Sequence, residues 1–151
     1  MALNAKFVHT NIVAQDWRKL ARFYEQVLGC VPVPPERDLA GPWLEAATGV
    51  PEARIQGAHL RLPGYGEGGP TLEIFQYNDQ VEGQEMAINR PGIGHLAFAV
   101  DDVGMARQAV LDAGGGEIGE VTTLDVAGAG RVTFVYLTDP EGNILELQRW
   151  L

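Results

Sequence analysis

Two of the chain's three histidines, His9 and His95, occupy matching places in segments that align without a gap. These segments, "FVHTNIVAQDWRKLARFYEQVLG" from Phe7 and "IGHLAFAVDDVGMARQAVLDAGG" from Ile93, also set Asp16 on Asp102 and Gly29 on Gly115. Their continuations, "TLEIFQY" and "ILELQRW", set Glu73 on Glu146. An internal repeat constrains the architecture before any local reading does. If the copies pack about a pseudo-twofold axis, His9, Glu73, His95 and Glu146 meet at one point. Two imidazoles and two carboxylates are the donor set that a borderline divalent metal takes. A single strand histidine or glutamate is ordinarily a hydrogen-bonded or solvated residue, so the metal expectation rests on all four at repeat-equivalent positions.

Periodicity indicates the elements that position these groups. In "KFVHTNIVA", Phe7, His9, Asn11 and Val13 share one face and Val8, Thr10 and Ile12 the other, which predicts a strand. Asp16 suits a helix N-cap, and Leu20, Phe23, Tyr24, Val27 and Leu28 follow at helical spacing until Gly29, predicting a helix over 16–28. The proline-containing stretch from Val31 to Glu52 reads as a long excursion with one strand near Trp43. "RIQGAHLRL" and "PTLEIFQY" read as strands joined by "PGYGEGG". That loop is glycine-rich but runs from strand to strand, so it lacks the helix N-terminus of a phosphate-binding loop. Residues 78–92 read as a polar linker.

The second half repeats the order. A strand is expected over Gly94–Val100, a helix over Asp102–Ala113, and strands near Glu117–Thr123, Arg131–Leu137 and Asn143–Trp150, with "TDPEGN" as a turn between the last two. Each half is thus βαβββ, with modules of about 5–77 and 93–150 inside one domain spanning 1–151. The expected class is α+β, two tandem modules forming a curved mixed sheet or half-barrel cup with helices outside. Glu73 alternates with Leu72 and Ile74, and Glu146 with Leu145 and Leu147, so both carboxylates face away from the apolar layer under the helices and into the cup.

Composition narrows the partners. With 20 acidic against 11 basic residues, the net charge of −9 opposes binding to nucleic acid or an anionic membrane. No signal-like or membrane-spanning apolar run occurs in the sequence, which leads to the expectation of a cytoplasmic, small-molecule protein. The lone Cys30 has no internal disulfide partner and reads as a small buried apolar residue.

"HTNIVAQDWRKLARFYEQVLG", "TLEIFQYN", "GIGHLAFAVDD" and "LTDPEGNILELQ" resemble the vicinal oxygen chelate superfamily, which includes glyoxalase I, methylmalonyl-CoA epimerase, bleomycin-resistance proteins and extradiol dioxygenases. The likeness covers nearly the whole chain. It implies the paired βαβββ fold of that group, a homodimer, and a divalent metal at His9, Glu73, His95 and Glu146 with open positions for substrate oxygens or water.

Branches of the superfamily differ in what they retain. Its bleomycin-resistance members bind their drug without a metal site, and its extradiol dioxygenases use Fe(II) on a two-histidine, one-carboxylate triad that omits the Glu73 position. Retention of both glutamates leans toward the glyoxalase branch and toward Ni, Zn, Co or Mn. The epimerase has an additional acidic residue in the strand corresponding to "RIQGAHLRL", which here has none, although His59 could substitute. The implied chemistry is stabilisation of an enediolate or enolate of a small carbonyl substrate by a lyase, isomerase or epimerase, with Glu146 or Glu73 as general base. His59, Arg61 and Tyr136 are candidate substrate-contacting residues. A ring-cleaving dioxygenase and a non-catalytic binding or resistance protein remain the alternatives.

Overall fold

The computed structural model describes residues 3–151, which divide into two compact units, the first ending at Glu82 and the second spanning Gly83–Leu151. The first unit opens with β1 (His9–Val13) and α1 (Trp17–Leu28). Asp16 caps α1 by accepting from the Lys19 backbone N–H at 3.1 Å, and Gly29 ends it in the left-handed conformation at φ 70°. One face of α1 buries Trp17, Leu20, Ala21, Phe23 and Tyr24, packing on β3 and β4. Each large side chain of this kind contributes about 1.5–3 kcal/mol on full burial.

The excursion after α1 differs from expectation. It forms a ten-residue strand, β2 (Val31–Ala40), followed by a short helix, α2 (Pro42–Thr48), where a strand near Trp43 was expected. Strand β2 tolerates its prolines because it lies at the sheet edge and its register slips between Val33 and Arg37. Helix α2 begins with Pro42 in the first turn and ends at Gly49 with φ 70°. Leu44 anchors it against Ala53 and Ile55. Strands β3 (Arg54–Arg61) and β4 (Thr71–Tyr77) complete an open sheet in the order β1-β4-β3-β2, with β1 parallel to β4 and the other pairs antiparallel.

The second unit contains β5 (Leu96–Ala99), α3 (Val103–Asp112), β6 (Gly116–Glu117), β7 (Thr122–Val126), β8 (Gly130–Thr138) and β9 (Ile144–Trp150). Asp102 caps α3 as Asp16 caps α1, accepting from the Met105 backbone N–H at 2.8 Å. This helix stops at Asp112, three residues before Gly115, and Gly114 takes the left-handed turn at φ 91°. The single strand expected near Glu117–Thr123 is two short ones, β6 and β7, both paired with β8. The turn after β8 is organised by buried Asp139, which accepts from the Glu141 and Asn143 backbone N–H groups and from the Asn143 side chain. Helix α3 covers β8 and β9, where Val135, Leu137, Leu145 and Leu147 are buried.

The fold is therefore α+β, with an open mixed sheet and a packed helix in each unit. Among the described residues, no helix is long and apolar enough to cross a membrane.

Cys30 lies buried just beyond α1, and burial, reinforced by the charge of Glu25, pushes its thiol up to about 12. The folded protein at pH 8 is expected to leave a disulfide-exchange reagent unreacted, whereas the unfolded chain, with a thiol near the ordinary ~8.5, reacts promptly. Prompt stoichiometric labelling of the folded chain would contradict this placement.

Candidate functional site

Residues paired across neighbouring strands share a face, and in the first unit they form rows. The central row is Asn11, Glu73, His59 and Val33, contributed by β1, β4, β3 and β2. Flanking it are His9, Thr71, Arg61 and Val31 on one side and Val13, Phe75, Gly57 and Arg37 on the other. Leu72 and Ile74 point to the opposite face and are buried, so alternation along β4 sets Glu73 toward the candidate site. Gly57 has no substitute in this arrangement: a Cβ there would stand 2.1 Å from the Ile74 carbonyl oxygen and 2.6 Å from the Phe75 ring. The Phe75 ring instead packs over the glycine, its centroid 5.6 Å from that of His59.

Glu73 is held from several directions. His59 Nε2 stands 3.0 Å from Oε1, Asn11 donates its side-chain amide to Oε2 at 3.3 Å, and His9 Nε2 lies 3.5 Å from the same Oε2. Burial, the largest influence, pushes the His59 imidazole below its ordinary range despite the opposing pull of Glu73, and the charges of Arg37 and His9 push it the same way as burial. His59 is accordingly neutral near pH 7 and serves Glu73 as an N–H donor.

The second unit repeats the arrangement with different partners. Glu146 on β9 pairs with Ala97 of β5 on one side and Tyr136 of β8 on the other. His95, immediately before β5, brings Nε2 to 2.9 Å from Glu146 Oε2, and the Tyr136 phenol donates to the same carboxylate. The His95 and Tyr136 rings meet edge to face at 5.2 Å. Burial, followed by the negative charge and hydrogen bond of Glu146, raises the Tyr136 phenol above its ordinary value.

The two half-sites obey one rule. In each, a histidine lies two residues ahead of the β-residue paired with the glutamate: His9 ahead of Asn11, and His95 ahead of Ala97. The residue directly opposite the glutamate on the antiparallel neighbour is His59 in one unit and Tyr136 in the other. The carboxylates are sunk, at 11% and 16% side-chain exposure, whereas the imidazoles of His9 and His95 are open at 44% and 33%.

Imidazole and carboxylate are donor types that a divalent ion takes. Ligands bonded at about 2.0–2.2 Å stand roughly 3–3.5 Å apart, and the His–Glu atom pairs are separated by 3.5 and 2.9 Å. Among the described residues, no three His, Cys, Asp or Glu side chains are gathered closely enough to hold a metal ion. The first unit offers Glu73 with the imidazoles of His9 and His59, and the second offers Glu146 with that of His95.

The sequence-predicted residues thus fall in two groups. His9, His59 and Glu73 come together in the first unit, with Arg61 on the same face one row away; His95, Tyr136 and Glu146 come together in the second. Asn11 and Arg37 were missed as site residues. The signal for Asn11 was its alternation with His9; Arg37 was hidden by the register slip in β2.

Comparison with known proteins identifies the fold and the family. Residues 6–147 match the family model described as Glyoxalase/Bleomycin resistance protein/Dioxygenase superfamily. Glyoxalase 1 of Caenorhabditis elegans is 30% identical over 95 residues, which cover 62% of this chain and 31% of that protein. The aligned part thus spans about a third of the curated relative's length. A glyoxalase family protein from Bacillus cereus superposes with a TM-score of 0.76 at 19% identity, covering 100% of this chain and 96% of that one. A glyoxylase/bleomycin resistance protein/dioxygenase domain from Frankia sp. EAN1pec superposes at 0.58 with 18% identity and 100% coverage of both. These structures show the shared fold, and the family model spans nearly the entire sequence: the chain belongs to the Glyoxalase/Bleomycin resistance protein/Dioxygenase superfamily.

Proposed function

We propose that the protein is a divalent-metal-dependent lyase, isomerase or epimerase of the glyoxalase type, acting on a small carbonyl substrate, with His9, Glu73, His95 and Glu146 as metal ligands. The observation that carries this reading is the same open imidazole beside the same sunken carboxylate, in the same register, in both units. The name of the worm relative, glyoxalase 1, points the same way. In this reading the protein is a cytoplasmic homodimer with no nucleic-acid partner.

When bound, the ion would supply positive charge beside a substrate carbonyl oxygen. The remaining work falls to the chain. Asn11 and His59 grip Glu73 from two strands and fix its orientation. Glu146 has no equivalent of Asn11, because Ala97 stands in that place and offers no side-chain donor. We therefore assign to Glu146, the less restrained carboxylate, removal of the proton from the carbon beside the carbonyl and its return to the same or adjacent carbon. Tyr136, with its phenol raised, stays protonated near pH 7 and keeps Glu146 oriented between transfers.

One observation favours a second reading, a ferrous ring-cleaving dioxygenase. Glu73 already has Asn11, His59 and His9 beside it, so His9, His95 and Glu146 alone could form a two-histidine, one-carboxylate triad. Incubation with 2-oxoaldehyde–thiol adducts, acyl-CoA thioesters and catechols in D₂O separates the two. Deuterium entering at the carbon next to a carbonyl, with no oxygen consumed, is the expected outcome. Oxygen uptake with a catechol and no such exchange would transfer the assignment to the dioxygenase.

A further inference from the structure

Two arginines on the candidate-site face of the first unit lack an acidic partner. Arg61 lies two residues beyond His59 on β3, in the row of His9, and Arg37 lies on the other side of His59, opposite Gly57. Both are half-buried. Arg18, Arg54, Arg107 and Arg131 each meet a carboxylate. Among the described residues neither Arg37 nor Arg61 does, and Arg37 meets only the Pro35 carbonyl. Removing a guanidinium from water without a counter-charge is costly. Its retention twice on one face calls for a partner from outside the chain.

The surroundings specify the sign. Glu73 is the only acidic residue in the three rows, although the chain carries a net charge of −9. The fold itself does not require these cations. At the position equivalent to Arg61, two residues beyond Tyr136, the second unit has Thr138, and the rows around Glu146 contain no arginine or lysine. The residue facing Arg37, Gly57, and Arg61 are four positions apart on β3, about 13 Å of strand. Two planar donor forks therefore flank the space over His59, and such forks match the oxygens of a carboxylate or phosphate. The charge of Arg37 is already felt at His59.

We propose that the substrate is an anion whose carboxylate or phosphate is held by Arg37 and Arg61, flanking the His59–Glu73 pair. This substrate class rests on the reaction site proposed above, yet it has its own readout. Calorimetric titration of the full-length protein as purified would use inorganic phosphate and pyruvate as probes at constant ionic strength. Saturable binding of at least one probe is expected, and the probe that binds identifies which oxyanion the face accepts. Arg37→Gln and Arg61→Gln should each weaken binding by about tenfold or more, the loss of one charge-assisted contact. Lys variants at the same positions should recover part of it, which excludes a folding defect. Arg54→Gln, on the opposite face of β3 and paired with Asp38, should leave binding unchanged.

Binding of neither probe by the wild type, or equal binding in the Gln variants, would overturn the proposal. Metal analysis of the same samples separates this inference from the reaction assignment. Lost anion binding with metal retained in the Gln variants supports the arginine subsite. Anion binding that persists in wild-type protein found to hold no metal supports it too, while removing the metal assignment alone.

Discussion

Replacing His95 with Ala is expected to abolish stoichiometric binding of a divalent ion, and replacing His9 with Ala to do the same. Each imidazole is open and presents Nε2 beside the glutamate of its own unit, at 2.9 Å for His95 and 3.5 Å for His9. Neither imidazole belongs to the buried apolar layer under α1 and α3, so circular dichroism should remain that of the folded protein. A group that only orients a ligand costs about 10–100-fold in affinity when removed, and a ligand itself should cost more. His59→Gln therefore makes an internal comparison: it removes the imidazole that holds Glu73 Oε1, and metal should bind more weakly without vanishing. Elemental analysis after dialysis measures all three variants. Full occupancy in both His9→Ala and His95→Ala would eliminate the ligand set proposed here.

The second large effect concerns Glu146. Glu146→Gln keeps the size and one oxygen donor but loses negative charge and basicity. The neighbours Leu145 and Leu147 are fully buried on the other face, so the strand should hold its register. Metal binding should weaken, and turnover measured at saturating metal should still fall on the order of a hundred- to ten-thousand-fold, the contribution of a positioned general base. Glu73→Gln should behave differently. Its main consequence should appear in metal affinity, because Asn11 and His59 hold that carboxylate in place. A near-normal rate for metal-saturated Glu146→Gln would remove Glu146 as the base and shift the role to Glu73.

Elements governed by neighbours in sequence were legible in advance. Asp16 and Asp102 each cap a helix because the cap is a contact across three residues, and α1 shows its apolar spacing directly. The segment from Val31 to Glu52 was not legible. Its prolines read as loop because proline disrupts an internal strand, yet β2 lies at an edge, where a missing backbone N–H is tolerated. The strand expected near Trp43 is instead the helix α2, with Pro42 in its first turn and Gly49 closing it in the left-handed conformation. Gly115 aligns with Gly29 in the repeat, but α3 turns at Gly114, since Gly115 is pressed against the Thr138 carbonyl oxygen.

By itself the sequence determined the repeat, the matched positions of His9 with His95 and Glu73 with Glu146, and the face that each glutamate presents. Those properties follow from alternation along a single strand, which needs no partner to be counted. Only the tertiary structure decided what stands beside each glutamate. Cross-strand neighbours depend on register, and register is fixed by pairings between residues as far apart as Asn11 and Glu73. The two extra residues in the β2 irregularity place Arg37, where Pro35 would otherwise stand, opposite Gly57. Long-range pairing likewise set His59 against Glu73 and Tyr136 against Glu146, giving two carboxylates at repeat-equivalent positions different partners.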